Sequence, residues 1–552
     1  MMTIGEYLFQ RLKELGVDHV FGVPGDYVLG LMDVLIKSPL ELICTCNELN
    51  AGYAADAYAR IRGLGVVCIT YGVGGFSLVN AVVGAYAERV PLVVISGAPN
   101  SAVRKNHLLL HHTTGDYNLQ LSIMEKVTVA SVILTQASQA AKQIDEVLSA
   151  CLHYKRPVYI EIPLDVVNQP CTFSESSLNA IPQLTELTDN DALKEAITEA
   201  SELLKKAQNP IILAGVEIDR FQLKEPLIKL LETTGYPIAT TILGKSCLPE
   251  VHPQFIGNYV GALSRDYVRQ RVENADCILC LGAIMSDMNL GIYTAQLDTQ
   301  KLINANSEKV KIKHHFYQPI YLGDFIAGLI PNLSYQESNP LNIQPAIKRL
   351  SKTFEFKTED KLTSGRFYEA INHFLDNDLL VISDTGDSII ASIDLLMHKG
   401  SDFIGQAFYL SIGYSIPACL GASFAAPDKR IIVLVGDGAF QMTAQELSTI
   451  IRHQLNPIIF LINNDGYTIE RVIHDGIYND LQAWKYHELP HIFGESWSCE
   501  VSTEGELQKA LLYAKMNTHC VCFIEVHLDR FDCSPGLIRL GKAIEKMQKL
   551  SN

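Results

Sequence analysis

The sequence has no apolar run approaching the ~18 residues that a membrane-spanning helix requires. Its first residues, Met1-Met2-Thr3-Ile4-Gly5-Glu6-Tyr7, show neither a basic stretch nor an apolar one, so no secretory leader is expected. Together these absences predict a soluble, cytoplasmic protein with no membrane partner. An excess of positive charge is also missing. The net charge is −16, which argues against a nucleic-acid partner, since such a partner selects a basic face. The thirteen cysteines lack the paired spacing of a metal site. The nearest approach, Cys44-Thr45-Cys46, is C-x-C, and Cys277 and Cys280 lie inside an apolar run. Buried free thiols are expected rather than ligands or disulfides. Neither Gly72-Val-Gly-Gly-Phe-Ser nor Gly436-Asp-Gly-Ala-Phe-Gln carries the third spaced glycine of a dinucleotide fingerprint, and neither ends in Lys-Ser/Thr. A nicotinamide dehydrogenase and a P-loop ATPase are therefore disfavoured.

What is present is a well-packed composition, 48% hydrophobic and 19% charged, on 552 residues. That length exceeds one core and predicts about two to four domains. Apolar strands bounded by glycine turns alternate with helical segments in three blocks. This rhythm predicts an α/β fold, three domains each with a mostly parallel sheet flanked by helices. The boundaries expected are 1–175, 190–340 and 360–552, with polar linkers at about 170–190 and 333–362. In the first block, strand Val66–Thr70 leads through Gly72 to Pro91 and strand Leu92–Ser96, and in the third, strand Ile431–Val435 leads through Gly436 to Pro457 and strand Ile458–Ile462. The Gly-to-Pro distances are 19 and 21 residues. Either a duplicated domain or two ordinary strand–helix–strand units can produce this likeness.

The third block holds the sharpest chemical signal. Gly436-Asp437-Gly438 follows one apolar run, and Asn463-Asn464-Asp465-Gly466 follows the next, with 24 residues between Gly438 and Asn463. A carboxylate, an amide oxygen and a backbone carbonyl at two neighbouring strand ends suit one hard cation. Mg²⁺ prefers such oxygens together with phosphate oxygens, which suggests a bound diphosphate. Gly-Asp-Gly alone is ordinary turn chemistry.

Four other places carry chemistry-bearing residues. Glu48 precedes a run of small residues that reads as a tightly packed helix, and its bland role is a favourable charge at a helix N-terminus. Asp26, in Gly22-Val-Pro-Gly-Asp, is either an N-cap or a site residue. His111-His112 sit before Thr113-Thr114-Gly115 in a loop, poorly spaced for zinc on a helix but placed to handle protons near neutral pH. Glu470 follows the second metal turn directly and is either an exposed first-turn residue or part of the site.

Taken together, GDG-x24-NN, the Gly-Asp turn at 25–26, Glu48 within NELNAGYAADAYAR, the HH pair and GYTIE resemble a thiamine-diphosphate-dependent 2-oxo acid decarboxylase. The pyruvate, indolepyruvate, phenylpyruvate and branched-chain 2-oxo acid decarboxylases share this pattern, and the resemblance spans nearly the whole chain. It implies a pyrimidine-binding, a middle and a diphosphate-binding domain. It implies thiamine diphosphate and Mg²⁺ as cofactors, with the metal on Asp437, Asn464 and the Gly466 carbonyl. Glu48 matches the residue that hydrogen-bonds the pyrimidine, and Ile412 the bulky side chain that holds the two cofactor rings in a V. Val73, Thr385, Asp387, Leu410, Ser411, Gly438, Ala439, Tyr467 and Ile469 match other cofactor-binding positions. Asp26, His111, His112 and Glu470 match the proton-handling residues. The activity implied is decarboxylation of a 2-oxo acid to an aldehyde and carbon dioxide through an enamine on the cofactor. The resemblance also implies a homodimer or homotetramer, with each site shared between two chains.

The matching substrate-pocket positions are Thr385, Ile389, Ile390, Ile469, Ile473, Leu540 and Ile544. Strict pyruvate decarboxylases place bulky aromatics, including tryptophan, at the position of Ile389 and on the C-terminal helix, whereas the two tryptophans of this chain, Trp484 and Trp497, fall elsewhere. An aliphatic pocket that prefers branched-chain or aromatic 2-oxo acids over pyruvate is expected. Leu410 departs from the family's usual glycine and adds bulk beside the pyrimidine. Glu217 stands where yeast-type pyruvate decarboxylases have a regulatory cysteine, so activation through a thiol is not expected. The alternatives are a pyruvate-preferring decarboxylase, a thiamine-diphosphate carboligase, and a non-catalytic sensor of an oxo acid or of thiamine.

Overall fold

The computed structural model describes residues 2–106, 108–173, 188–335 and 343–551. Most of the first expected linker, and part of the second, lie outside these residues. Three sheets account for all nineteen strands described.

The first sheet runs, in spatial order, Glu41–Cys44, His19–Gly22, Gly65–Ile69, Leu92–Ala98, Val158–Pro163 and Ala130–Ile133. The third runs Asp402–Gly405, Leu379–Ser383, Arg430–Gly436, Ile458–Asn463, Val521–His527 and Ser496–Val501. Both are parallel throughout. Numbered along the chain within each sheet, both have the order 2-1-3-4-6-5. Six strands in one shared order go well beyond two like strand–helix–strand units. The middle sheet has seven strands, with a parallel centre and an antiparallel edge formed by Leu302–Ala305, Val310–Ile312 and His315–Tyr317.

The central strands are buried on both faces, as the run Val66–Ile69 and the run Ile432–Val435 show at 0% exposure. Helices on both faces bury such strands, which is why they read as unbroken apolar runs. No helix of the described residues is long and apolar enough to cross a membrane. All thirteen cysteines are free thiols, eight of them buried, and burial pushes the Cys68 and Cys280 thiols up to about 12.

One apolar core joins the first and third units. Helix Glu48–Arg62 packs along helix Ser415–Ala425, and their approach is so close that a Cβ on Gly421 would sit 1.8 Å from the Ala54 carbonyl oxygen. A polar network is set into this contact. Arg60 Nε donates to Asp56 at 2.6 Å, and its Nη2 donates to Glu88 at 2.8 Å. Tyr414 donates its hydroxyl to Asp56 at 2.6 Å, and Glu88 accepts the backbone N–H groups of Phe408 and Tyr409. Asp56 and Glu88 are wholly buried. Removing one member of a buried pair leaves an uncompensated charge. Asp56→Ala is therefore expected to cost about 3–5 kcal/mol, read as a lower denaturant midpoint in chemical unfolding. The middle unit is tied in by Glu217, which accepts from Ser307 N at 2.7 Å and pairs with Arg89 at 3.1 Å.

Candidate active site

Strands Arg430–Gly436 and Ile458–Asn463 lie side by side and end at the same edge of the third sheet. The first leads directly into helix Asp437–Thr443, so Asp437 sits at a helix N-terminus. Its Oδ1 accepts from Gly438 N at 2.8 Å and its Oδ2 from Gly466 N at 3.0 Å, so the carboxylate joins both turns. Asp437 is 2% exposed. Burial pushes its carboxyl up to about 6, and the amides of Gly438, Gly466 and Asn464 partly oppose that rise. A buried carboxylate held this way gains from a cation.

The second turn can exist only with glycine at its end. Gly466 has φ of 136°, and a Cβ there would meet the Asn479 carbonyl oxygen at 2.1 Å. Arg471, buried beneath the turn, donates to the Asn464 carbonyl at 3.0 Å and to Asp480 at 2.8 Å. The Gly466 carbonyl accepts from Thr468 N and keeps a second lone pair. Asp437, the Asn464 amide and the Gly466 carbonyl thus offer the all-oxygen donor set that Mg²⁺ takes.

These turns form the polar end of a cavity of about 520 Å³. Thr385, Asp387, Gly438, Ala439, Tyr467 and Glu470 also line it. Thr385 Oγ1 is buried with no hydrogen-bond partner, an atom left for a bound group to satisfy. Asp387 is already engaged, accepting from Ser534 N at 2.7 Å and Ser534 Oγ at 2.5 Å, and burial pushes its carboxyl up to about 6.

The rest of the wall is mostly aliphatic, with Tyr368 also in the lining. Ile389, Ile390, Ile412, Ile469, Ile473 and Leu540 line it, and no tryptophan does. Ile544, one turn beyond Leu540, does not reach this lining and is 39% exposed. Leu263, Met288 and Ile292 reach the cavity from the middle unit. Leu410 also lines the cavity, with φ of 59°, a left-handed conformation that glycine adopts freely and a leucine does not. Asp384, fully buried, holds the loop around it by accepting from Gly413 N at 3.0 Å and Ser415 N at 2.8 Å. Ser411 faces away from the cavity, its Oγ 2.6 Å from the Tyr53 hydroxyl.

The residues singled out in the first block gather in a separate patch. His111 Nε2 is 2.5 Å from Asp26 Oδ2, and His112 Nε2 is 3.7 Å from Asp26 Oδ1. The imidazoles meet edge-on at 4.7 Å, and Tyr27 stacks on His111 at 5.1 Å. Burial acts to raise the Asp26 carboxyl, but the His111 hydrogen bond and the two imidazole charges outweigh it and hold it below the ordinary range. Asp26 is not an N-cap, since the nearest helix, Leu29–Leu35, begins after Val28. Glu48 opens helix Glu48–Arg62, and a Cβ on Gly74 would lie 3.2 Å from its Oε1. Val73 begins the neighbouring helix and is 50% exposed. None of these first-block residues lines the cavity within one chain.

Three family models match in order. Residues 2–120 match the thiamine pyrophosphate enzyme N-terminal TPP binding domain, 197–324 the central domain and 384–526 the C-terminal TPP binding domain. The fold and site therefore define a thiamine pyrophosphate enzyme. The chain is 36% identical over 551 residues to pyruvate decarboxylase 2 of Oryza sativa subsp. japonica, covering 98% of this chain and 91% of that one. It is 37% identical over 554 residues to pyruvate decarboxylase 4 of Arabidopsis thaliana, with the same coverage. The chain belongs to the thiamine-diphosphate-dependent 2-oxo acid decarboxylase family.

Proposed function

We propose that this decarboxylase acts on branched-chain or aromatic 2-oxo acids in preference to pyruvate. The observation that carries the reading is the wall of Ile389, Ile390, Ile469, Ile473 and Leu540, which contains no tryptophan. Apolar walls reward the larger side chains of 2-oxoisovalerate, 2-oxoisocaproate and phenylpyruvate. Each methylene contact is worth about 1–3 kcal/mol, so pyruvate is expected as a slower substrate rather than an excluded one. The relatives' name makes pyruvate the reference. An aldehyde assay over a panel of 2-oxo acids is expected to give the highest kcat/KM with a branched or aromatic acid. A maximum at pyruvate would refute the preference. A hydroxy-oxo acid as the main product would make the chain a carboligase.

Asp437, Asn464 and Gly466 are proposed to hold Mg²⁺, and that ion the cofactor's diphosphate. When bound, thiamine diphosphate supplies the electron sink for the departing carboxylate. Ile412, in the cavity wall, would lie against the cofactor and help orient it when bound, a form of preorganisation. Glu48 would share a proton with the pyrimidine nitrogen when the cofactor is bound. Asp26, His111, His112 and Glu470 move protons at the substrate carbon. The aliphatic wall excludes water where carboxylate charge is dispersed.

A whole site requires two chains in this reading. The cavity contains only third-block and middle residues, while Glu48 and the Asp26–His111–His112 patch lie outside it. A homodimer or homotetramer brings the patch of one chain over the cavity of another. Co-expression of Glu48→Gln with Asp437→Asn chains tests this. Random pairing is expected to restore about a quarter of wild-type sites, because half the dimers are hybrids and each hybrid has one intact site. No recovery would mean that each site is built within one chain.

A further inference from the structure

The far edge of the third sheet carries a second group of metal-type side chains. Glu500 and Glu525 face each other directly on neighbouring parallel strands. Two residues beyond Glu525 on the same strand face, His527 places Nε2 3.6 Å from Glu500 Oε2 and 3.6 Å from Glu525 Oε1. From the turn Tyr486–Glu488, His487 places Nδ1 2.6 Å from Glu500 Oε1 and 2.9 Å from Glu525 Oε2. His487, Glu500 and Glu525 each bring a ligand atom within 4.8 Å of the others, and His527 approaches the same two carboxylates on their other oxygens.

Like charges directly opposite each other on adjacent strands repel, so two carboxylates in register gain from positive charge or a proton between them. Among the described residues, their only basic partners within 4.0 Å are the two histidines. His527 Nε2 is buried and makes no hydrogen bond, so an imidazolium there would leave a donor unused. A tetrahedral ion with bonds near 2.0–2.1 Å sets its donor atoms about 3.3 Å apart. The His–Glu separations of 2.6–3.6 Å lie on either side of that value. The surroundings are also fixed. Asn463 Nδ2 donates to Glu525 Oε1 at 2.7 Å, His487 N donates to Glu525 Oε2 at 3.0 Å, and Ser498 Oγ donates to the His487 carbonyl at 2.6 Å. Such outer contacts orient the ligands of a metal site.

We propose that His487, Glu500, Glu525 and His527 form a structural His₂Glu₂ site for Zn²⁺. It is separate from the Asp437 turn, which offers oxygen donors only. Two carboxylates neutralise the ion, and two imidazoles supply the nitrogen donors that Zn²⁺ favours over Mg²⁺. The bound ion would tie the edge strand and the Tyr486–Glu488 turn to strand Val521–His527.

The test uses the full chain saturated with Mg²⁺ and thiamine diphosphate, titrated with Co²⁺ as a spectroscopic stand-in. One equivalent per chain is expected to give the intense visible bands of four-coordinate Co²⁺, and Zn²⁺ should bleach them. Glu500→Gln and His527→Gln, both at partly exposed positions, should lose the bands while still binding thiamine diphosphate. Zn²⁺ should raise the melting temperature of the wild type but not of either variant. Absence of visible bands, or bands that survive both substitutions, would overturn the site and leave a hydrogen-bonded His–Glu cluster.

Discussion

Replacing Glu48 with glutamine is expected to lower decarboxylase turnover by about 10²–10⁴-fold, the range of a positioned acid–base group. Glutamine has nearly the same shape and can still donate a hydrogen bond, but it cannot share a proton with the pyrimidine. Glu48 lies at the first position of its helix and is only partly exposed, so the change disturbs no core contact. The helix keeps its cap, because the Asn47 side chain still accepts from Asn50 N at 2.8 Å. Binding of thiamine diphosphate with Mg²⁺ should therefore persist, and calorimetry beside a coupled aldehyde assay separates the two effects. Retained turnover would remove Glu48 from the reaction and favour the bland helix-terminus role.

The second large effect is expected at Asp437. Asp437→Ala should weaken Mg²⁺-dependent binding of thiamine diphosphate by more than about 100-fold, beyond what is lost when a group behind a metal ligand is removed. The carboxylate also caps the Gly438 and Gly466 amides, so alanine frees both turns at once. Asp437→Asn keeps one of the two amide caps through its single accepting oxygen and removes the charge. If the asparagine variant binds the cofactor as tightly as wild type, the carboxylate is a structural cap and not a metal ligand. Titration of the cofactor at fixed Mg²⁺, followed by fluorescence quenching, gives the comparison.

Residues whose role is local were readable from sequence. Gly436-Asp-Gly and Asn-Asn-Asp-Gly declare themselves because a strand end, a turn and a donor side chain sit within a few residues. Unbroken apolar runs declared the parallel sheets for a similar reason. Residues that act across long sequence distances were not readable. Arg471 gives no signal of its own beside Glu470, although its buried guanidinium supports the Asn464 turn. Asp384 gave no signal, because its partners Gly413 and Ser415 lie about thirty residues on. Asp56 and Tyr414 are 358 residues apart, and only the fold brings them together. Leu263, Met288 and Ile292 reach the cavity from the middle unit, far in sequence from the third-block residues that form the rest of its lining. Ile544 shares a helix with Leu540, yet one turn of rise takes it off the lining. The left-handed backbone at Leu410 gives the family's usual glycine a conformational reason that the sequence alone did not reveal.

The common strand order of the first and third sheets has a consequence for descent and division of labour. The turn after Gly65–Ile69 and the turn after Arg430–Gly436 occupy equivalent places, yet one reads Gly72-Val73-Gly74 and the other Gly436-Asp437-Gly438. An ancestor with one such domain, paired with its own copy, would have had to use a single turn for both ends of an asymmetric ligand. Two such domains in one chain lift that restriction. In the proposed site one keeps its aspartate for the anionic end, while the other, uncharged at this turn, carries residues proposed to move protons.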